Sequence, residues 1–197
     1  MNLILASGST IRAQLLRQAG LSFETVVARI DEDSVKLSLA AEGAAPRDIA
    51  DALAEAKARK VSLKNPGALV LGCDQVLSLK GEILSKPRDP DDGRAQLRRL
   101  SDMRHNLLSA VVAYEDGEPL WRFVDTVRLS MRALSDDFID DYVSRNWDSI
   151  RHSVGGYKLE EEGMRLFRAV EGDYFTVLGL PMIPLLSWLI DRGSLTV

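Results

Sequence analysis

The residues that follow the first apolar segment are suited to holding an anion. Residues 3–5 form a continuous apolar run, which is typical of a strand buried on both faces. Ser7 and Ser9 come directly after this run, and the next residues have the apolar spacing of a helix that stops at Gly20. The N–H groups at the start of such a helix, together with the guanidinium of Arg12, favour an anion such as phosphate. A serine-capped strand–helix unit with a surface arginine is the alternative interpretation.

Carboxylates at two places along the chain could hold a divalent cation. Asp31, Glu32 and Asp33 follow a predicted strand over residues 22–27. Adjacent like charges repel one another, and a hard cation would reverse that cost because it takes oxygen ligands. A solvated turn with Asp31 as its cap is the alternative. Asp74 interrupts the second apolar segment, where a carboxylate without a partner is costly, so it is the strongest single candidate for a functional group.

Two lysines lie at points from which they could reach an anion. Lys57 belongs to a predicted helix over residues 47–61, and Lys86 precedes Pro87 at the end of a short predicted strand. Because proline restricts the backbone, Lys86 is expected to leave the sheet at a set angle. Taken alone, both lysines also suit an ordinary solvated surface.

The remaining pattern predicts a sheet flanked by helices. Residues 106–114 and 120–131 are expected to pair as a long antiparallel hairpin. Helices are expected over about residues 135–145 and over residues 181–191, whereas residues 35–46 are expected to form a loop. Strand–helix units combined with antiparallel hairpins indicate an α/β or α+β mixed sheet.

The composition indicates a globular chain with little charge bias. The 197 residues are 46% hydrophobic, which is enough for one domain or for two small lobes that share a sheet. A formal net charge of −4 argues against broad nucleic-acid or membrane binding. The apolar stretches are too short or too interrupted to span a bilayer, and the first residues lack a secretion signal. Cys73 is the single cysteine, so the expected location is the reducing cytoplasm.

Six short motifs occur in a fixed order along the chain. They are Ser7-x-Ser9-x-x-Arg12-x-x-Leu15-Leu16, Asp31-Glu32, Ala56-Lys57-Ala58, Gly72-x-Asp74-x-Val76, Gly81-Glu82-Ile83-Leu84-x-Lys86-Pro87 and Gly172-Asp173-Tyr174-x-x-Val177-x-Gly179-Leu180-Pro181. With these motifs the chain resembles the Maf family, also called septum-formation inhibitor proteins, from residue 3 to about residue 190. Each motif is weak alone, whereas six in register are specific.

The resemblance implies a fold and a reaction. The implied fold is a single α/β domain over residues 1–197, with two lobes that share a mixed, partly antiparallel twisted sheet flanked by helices, and a central cleft, as in inosine triphosphatases. The implied reaction is hydrolysis of a nucleoside triphosphate to a monophosphate and pyrophosphate with Mg²⁺ or Mn²⁺. A homodimer without nucleic-acid or membrane partners is expected.

The resemblance also implies roles for individual residues. Asp74 is the expected catalytic base and, with Glu32, the expected metal ligand. Lys57 and Lys86 are expected to be catalytic lysines that face the triphosphate. The substrate's phosphates are expected to contact the helix start at Ser7, Ser9 and Arg12.

The expected substrate is a modified or non-standard nucleotide. Gln75 after the catalytic aspartate, and Lys158 in the late loop, look like the family's 7-methyl-GTP branch rather than its dTTP/UTP branch. Glu160 could pair with a cationic methylated guanine. The chain departs from the family at Ile11, where many members have an arginine, and at Asp102, where the family has glycine.

Two other functions are compatible with the sequence. The substitutions at those two positions keep open a weakly active, nucleotide-binding regulator of cell division. A cysteine hydrolase would use Cys73, but that residue alternates with Asp74 along its strand and is expected to point into the core. For the cysteine hydrolase, a Cys73→Ser variant would be inactive; near-normal activity is expected.

Overall fold

The computed structural model describes residues 2–196 and contains a seven-stranded mixed sheet with helices. The strands of this described region are β1 (Leu3–Leu5), β2 (Glu24–Thr25), β3 (Leu69–Leu79), β4 (Glu82–Leu84), β5 (Arg104–Glu115), β6 (Glu118–Met131) and β7 (Phe167–Glu171). The helices are α1 (Thr10–Gln18), α2 (Glu32–Ala41), α3 (Pro46–Ser62), α4 (Pro90–Leu100), α5 (Asp136–Ile150), α6 (Tyr174–Val177) and α7 (Met182–Asp191). The mixed α/β class predicted from the sequence is therefore confirmed.

The sheet combines parallel and antiparallel pairs. Its strand order is β2-β1-β3-β5-β6-β7, and β4 pairs with β3 outside this path. Strand β1 is parallel to both β2 and β3, with Leu5 opposite Leu71. The β3–β4 and β6–β7 pairs are antiparallel. Parallel pairing places the carboxyl end of β1 beside Leu71, and β3 continues past this point to Leu79. Open α/β sheets bind ligands outside the carboxyl ends of their strands, and Asp74 lies just beyond the end of β1.

The chain divides into two compact units. The first consists of the described residues up to Gln75, together with Leu108–Asp125 and the described residues from Asp173 onward. The second consists of Val76–Leu107 and Thr126–Gly172. No helix within residues 2–196 is long and apolar enough to cross a membrane.

The core of the first unit follows the alternation of strand β3. Leu71 and Cys73 belong to a cluster that includes α1 and α7, whereas Val70 packs with β1 and Val61 of α3 on the other face. Between these positions, Gly72 lies directly against α3. A Cβ atom added to Gly72 would be 2.1 Å from the Ala54 carbonyl oxygen, so only glycine permits this approach.

Helix α2 occupies most of the segment predicted to be a loop, so that prediction is wrong. Asp31 caps the helix by accepting hydrogen bonds from the Ser34 N–H group at 3.0 Å and from its hydroxyl group at 2.7 Å. No residue of α2 is buried, and Val35 and Leu39, which lie at helical spacing, are only half-buried, so the apolar pattern of this helix is weak. The strand predicted over residues 22–27 is also shorter, since β2 contains only Glu24 and Thr25.

Candidate active site

Strand β1 ends early and leaves part of the edge of β3 without a β1 partner. The Ala6 N–H group donates to the Leu71 carbonyl at 2.8 Å, and β3 then continues beyond the end of β1. The Cys73 carbonyl accepts instead from Arg12 Nη1 at 3.2 Å. The start of α1 is therefore joined to β3 at the residue that precedes Asp74.

The two predicted serines organise the start of helix α1. Ser9 is the N-cap, and its Oγ accepts from the Arg12 N–H group at 3.4 Å. Ser7 is buried, and its Oγ accepts from the Ser9 N–H group and from Arg12 Nη1, each at 3.2 Å. The structure thus brings Ser7, Ser9 and Arg12 together, as the sequence predicted.

The guanidinium of Arg12 is held from a third direction by a glycine that sequence reasoning did not single out. Arg12 Nε donates to the Gly179 carbonyl at 2.7 Å. Gly179 has a φ of +95°, and a Cβ atom there would lie 3.2 Å from both Nε and Nη2 of Arg12. This position therefore needs glycine for its backbone conformation and for the space that Arg12 occupies. The only sequence signal for it was the late motif that contains Gly179.

A buried lysine joins the two predicted acidic residues. Lys57 Nζ lies 2.5 Å from Asp74 Oδ1 and 2.8 Å from Glu32 Oε1. Lys57 is 6% exposed and Asp74 is 5% exposed. Charges this deeply buried need partners, and the α3–β3 contact at Gly72 brings these two together. Lys57 is therefore not the solvated lysine that its helix pattern alone allowed.

The second carboxylate oxygen of Asp74 is left without a partner. Asp74 Oδ2 is buried and accepts no hydrogen bond from any group in the part of the chain that the structure describes. A buried, unsatisfied carboxylate oxygen is costly for folding. Asp51 also has one, but of the two only Asp74 combines it with an oxygen paired to a buried lysine, just beyond the end of β1. Lys57 fixes Oδ1, which leaves Oδ2 to face a proton or a cation.

The acidic residues fit a cation that also binds phosphate. Glu32 and Asp74 contact the same ammonium group, so their two carboxylates lie near one another. Residues 2–196 contain no group of three or more His, Cys, Asp or Glu side chains arranged for a metal ion. Mg²⁺ is commonly held by one or two carboxylates together with substrate phosphates and water. Two carboxylates are therefore enough for a cation that arrives with a polyphosphate.

Gln75 lies on the face of β3 opposite to Asp74. Its Nε2 atom donates to the Val177 carbonyl at 2.9 Å and lies 3.1 Å from the Thr176 carbonyl and 2.9 Å from Ser109 Oγ. Sequence reasoning did not identify Ser109 or Thr176, because neither carries a charge or a metal-ligating group.

The second unit contains the other predicted site residues. Lys86 is exposed, and Lys158 Nζ donates to Ser149 Oγ at 2.7 Å and contacts Glu161 Oε1 at 3.2 Å. Glu160 is half-buried. The roles of Lys86, Lys158 and Glu160 stay predictions.

Cys73 has the environment of a core residue. The thiol is fully buried in the apolar cluster of the first unit. Burial raises the pKa of the Cys73 thiol to about 11, although Arg12 and Lys57 oppose the shift. A thiol with a raised pKa is protonated at neutral pH and is a poor nucleophile, which argues against the cysteine-hydrolase alternative.

A buried histidine contacts Tyr157, the residue before Lys158. His105 is 2% exposed, and its Nε2 lies 2.7 Å from the hydroxyl of Tyr157. Its Nδ1 is buried without a hydrogen-bond partner within residues 2–196. Burial lowers the pKa of His105 from 6.5 to about 4, because the charged imidazolium would lose its hydration.

His105 is expected to make folding less favourable in mild acid. Between about pH 6.5 and 4 the unfolded chain binds a proton that the folded chain excludes, so stability falls as the pH falls. The free energy of unfolding should fall by about 2 kcal/mol more in the native protein than in His105→Gln between about pH 7.5 and pH 5. Urea denaturation at both pH values measures this difference. Equal losses in the two proteins would contradict a neutral buried imidazole.

The chain is similar in sequence to a known family over almost its whole length. The sequence model described as "Maf-like protein" matches residues 2–192. A relative from Ruegeria pomeroyi named "nucleoside triphosphate pyrophosphatase" is 63% identical over 97% of this chain and 96% of its own length. A relative of the same name from Caulobacter vibrioides is 51% identical, covering 98% of this chain and 96% of its own. A "7-methyl-GTP pyrophosphatase" from Brucella abortus is 49% identical, with 95% and 94% coverage.

A solved structure has weaker similarity. It is a nucleoside-triphosphatase or dITP/XTP pyrophosphatase from Mycobacterium abscessus, with a TM-score of 0.39 and 19% identity. The match covers 66% of this chain and 73% of that one. The sequence comparisons, by contrast, extend over nearly the whole chain at high identity. The chain therefore belongs to the Maf family.

Proposed function

We propose that this chain is a nucleoside triphosphate pyrophosphatase, which hydrolyses its substrate to a nucleoside monophosphate and pyrophosphate. The observation that carries the proposal is the buried, unpartnered Oδ2 of Asp74 beside an oxygen fixed by Lys57. Relatives from Ruegeria and Caulobacter that match nearly the whole chain carry this enzyme name, which supports the same reaction class.

In this mechanism Asp74 Oδ2 accepts a proton from the attacking water. The water oxygen forms a bond to the α-phosphorus, and the bond from that phosphorus to the α–β bridging oxygen breaks. The electron pair leaves with pyrophosphate, and the water's proton passes to the carboxylate. Lys57 orients the carboxylate through Oδ1, so that its other oxygen is free to act as the base.

The start of helix α1 binds the triphosphate. Arg12 uses Nε and Nη1 for protein contacts, and the forked guanidinium carries further N–H groups that can donate to phosphate oxygens. The N–H groups and the positive end of the helix dipole add to the attraction. Phosphoryl transfer depends mainly on such positioning and charge stabilisation.

Glu32 and Asp74 are the residues that would hold Mg²⁺ or Mn²⁺. When bound, the cation supplies positive charge that offsets the phosphate oxygens during hydrolysis. Lys57 contacts the same two carboxylates, so its ammonium group offsets one of their two negative charges.

The proposed substrate class is a modified purine nucleotide of the 7-methyl-GTP kind, with dTTP and UTP as weaker substrates. The Brucella relative that is 49% identical carries the name 7-methyl-GTP pyrophosphatase, which supports this finer assignment. Glu160 carries a negative charge that would complement the cationic methylated base, and Lys158 is the other predicted base contact.

A nucleotide panel tests the proposal. The purified protein is incubated with 7-methyl-GTP, dTTP, UTP or ITP, each with Mg²⁺, with Mn²⁺ and with EDTA, and pyrophosphate release is measured. We expect turnover with either metal, highest for 7-methyl-GTP, and none with EDTA. Binding without turnover on every nucleotide would instead favour the regulatory nucleotide-binding protein, and equal turnover with EDTA would exclude the metal assignment.

A further inference from the structure

We propose that Gln75 is a positioning residue for Arg12 and acts through the turn at residues 173–179, rather than as a contact to the nucleobase. The inference rests on the proposed function in one respect, namely that Arg12 binds the triphosphate. It assigns a part in phosphate binding to Gln75 and to two uncharged residues, Ser109 and Thr176. The position of Gln75 next to Asp74 does not by itself suggest this role.

The amide nitrogen of Gln75 is directed at the main chain of the turn. Its Nε2 donates to the Val177 carbonyl at 2.9 Å and approaches the Thr176 carbonyl at 3.1 Å. It also lies 2.9 Å from Ser109 Oγ, which itself donates to the Thr176 carbonyl at 2.7 Å. An amide nitrogen has two hydrogens, and these three acceptors engage both of them.

The Thr176 carbonyl connects Gln75 to Arg12. In addition to Gln75 and Ser109, it accepts from the Gly179 N–H group at 3.0 Å. The carbonyl of Gly179 in turn accepts from Arg12 Nε at 2.7 Å. The path from the Gln75 amide to the guanidinium therefore runs through the Thr176 carbonyl and then through the N–H group and the carbonyl of Gly179.

Further hydrogen bonds anchor the turn at residues 173–179. Thr176 is fully buried, and its hydroxyl donates to Asp125 Oδ2 at 2.7 Å. Asp173 caps α6 by accepting from the Thr176 N–H group at 3.0 Å. Helix α6 has four residues and is too short to be stable by itself, so its place depends on these side chains.

The direction of the Gln75 side chain separates it from the ion pair of the adjacent residue. Asp74 contacts Lys57 of α3, whereas Gln75 contacts Ser109 of β5 and the α6 turn on the other face of β3. Neighbouring residues of a strand point to opposite faces, so the two side chains act on different elements. Gln75 affects the site through the backbone that holds Arg12.

Gln75→Leu tests the proposal because it keeps a similar size and removes the amide. A ligand without a base separates positioning from base recognition, so inorganic tripolyphosphate is used as a competitive inhibitor and as a calorimetric ligand. We expect the affinity for tripolyphosphate and kcat/KM for every nucleotide of the panel to fall by the same factor, about tenfold. The order of preference among nucleotides should not change.

A double-mutant cycle with Arg12→Ala tests whether Gln75 acts through Arg12. In the Arg12→Ala background, Gln75→Leu is expected to change tripolyphosphate affinity by less than about twofold. Ser109→Ala should reproduce a smaller loss of the same kind, since it removes one donor to the Thr176 carbonyl. Gln96→Leu is the matched control: its amide donates to Asp92 within the second unit, and it should leave tripolyphosphate affinity unchanged.

Two results would overturn the inference. In the first, Gln75→Leu alters the preference among bases and leaves tripolyphosphate affinity unchanged, which makes Gln75 a base contact. In the second, the losses from Gln75→Leu and Arg12→Ala simply multiply. If the native protein binds tripolyphosphate but turns over no nucleotide, the proposed function fails while the calorimetric cycle still decides the role of Gln75. If the native protein turns over nucleotides but does not bind tripolyphosphate, the inference fails and the proposed function stands.

Discussion

Asp74→Asn is expected to reduce pyrophosphate release by a factor of about 10³, within the range attributed to a general base. The amide has almost the same shape as the carboxylate, so the contact between α3 and β3 is kept. It has no oxygen that can take a proton from water, and its NH₂ group would face either Lys57 Nζ or the position of Oδ2. Initial rates on the best nucleotide of the panel, at saturating Mg²⁺, measure the loss.

A second aspartate provides a matched control for this experiment. Asp51 lies on α3 and also has one buried carboxylate oxygen without a hydrogen-bond partner within residues 2–196, while its other oxygen accepts from Arg122 Nη1 at 2.7 Å. Asp51→Asn should keep activity within about twofold, because Asp51 pairs with Arg122 and not with Lys57. Cys73→Ala should also stay active. Full activity in Asp74→Asn, or complete loss in Cys73→Ala, would contradict the proposed chemistry.

Gly72→Ala is expected to destabilise the fold by about 3 kcal/mol or more, at the upper end of overpacking effects. The new Cβ would lie 2.1 Å from the Ala54 carbonyl oxygen and 2.6 Å from the Ala58 nitrogen. Both are backbone atoms of α3, so no side-chain rotation relieves the clash and the helix has to move away from β3. Lys57 lies on the same stretch of helix, so the shift would also lengthen its contact with Asp74.

Urea denaturation of Gly72→Ala measures the loss of stability, and pyrophosphate release at low temperature measures the effect on the site. Gly8→Ala is the stability control, because its Cβ would make an ordinary 3.5 Å contact with Val27, and it should stay within about 0.5 kcal/mol of the native protein. A stable and active Gly72→Ala protein would show that α3 can approach β3 in another way.

Much of the fold was visible in local patterns. Apolar runs located β1 and β3, and the helical spacing and Pro46 located α3 at nearly its observed bounds, Pro46–Ser62. Such patterns are informative because a buried face repeats with the period of its element. Helix α2 was missed for the same reason, since it buries none of its residues and depends on the Asp31 cap.

The residue types at the site were also predictable. Ser7 and Ser9 are at a helix start because their hydroxyls replace missing backbone partners. Asp74 was identified because a carboxylate in an apolar strand is costly unless it has a partner. The sequence by itself determined these identities, their order along the chain and the family to which they belong.

Only the tertiary structure decided which of these groups meet. The pairing of Lys57 with Asp74 depends on the close approach of α3 and β3 at Gly72. The orientation of Arg12 depends on its hydrogen bond to the Gly179 carbonyl, which is more than 160 residues away in the sequence. Such contacts join residues from segments that are distant in the sequence, and the local pattern of one segment gives no information about the other. They follow from the register of β1 against β3 and from the packing of α3 and the α6 turn on opposite faces of that strand, which no single stretch of sequence specifies.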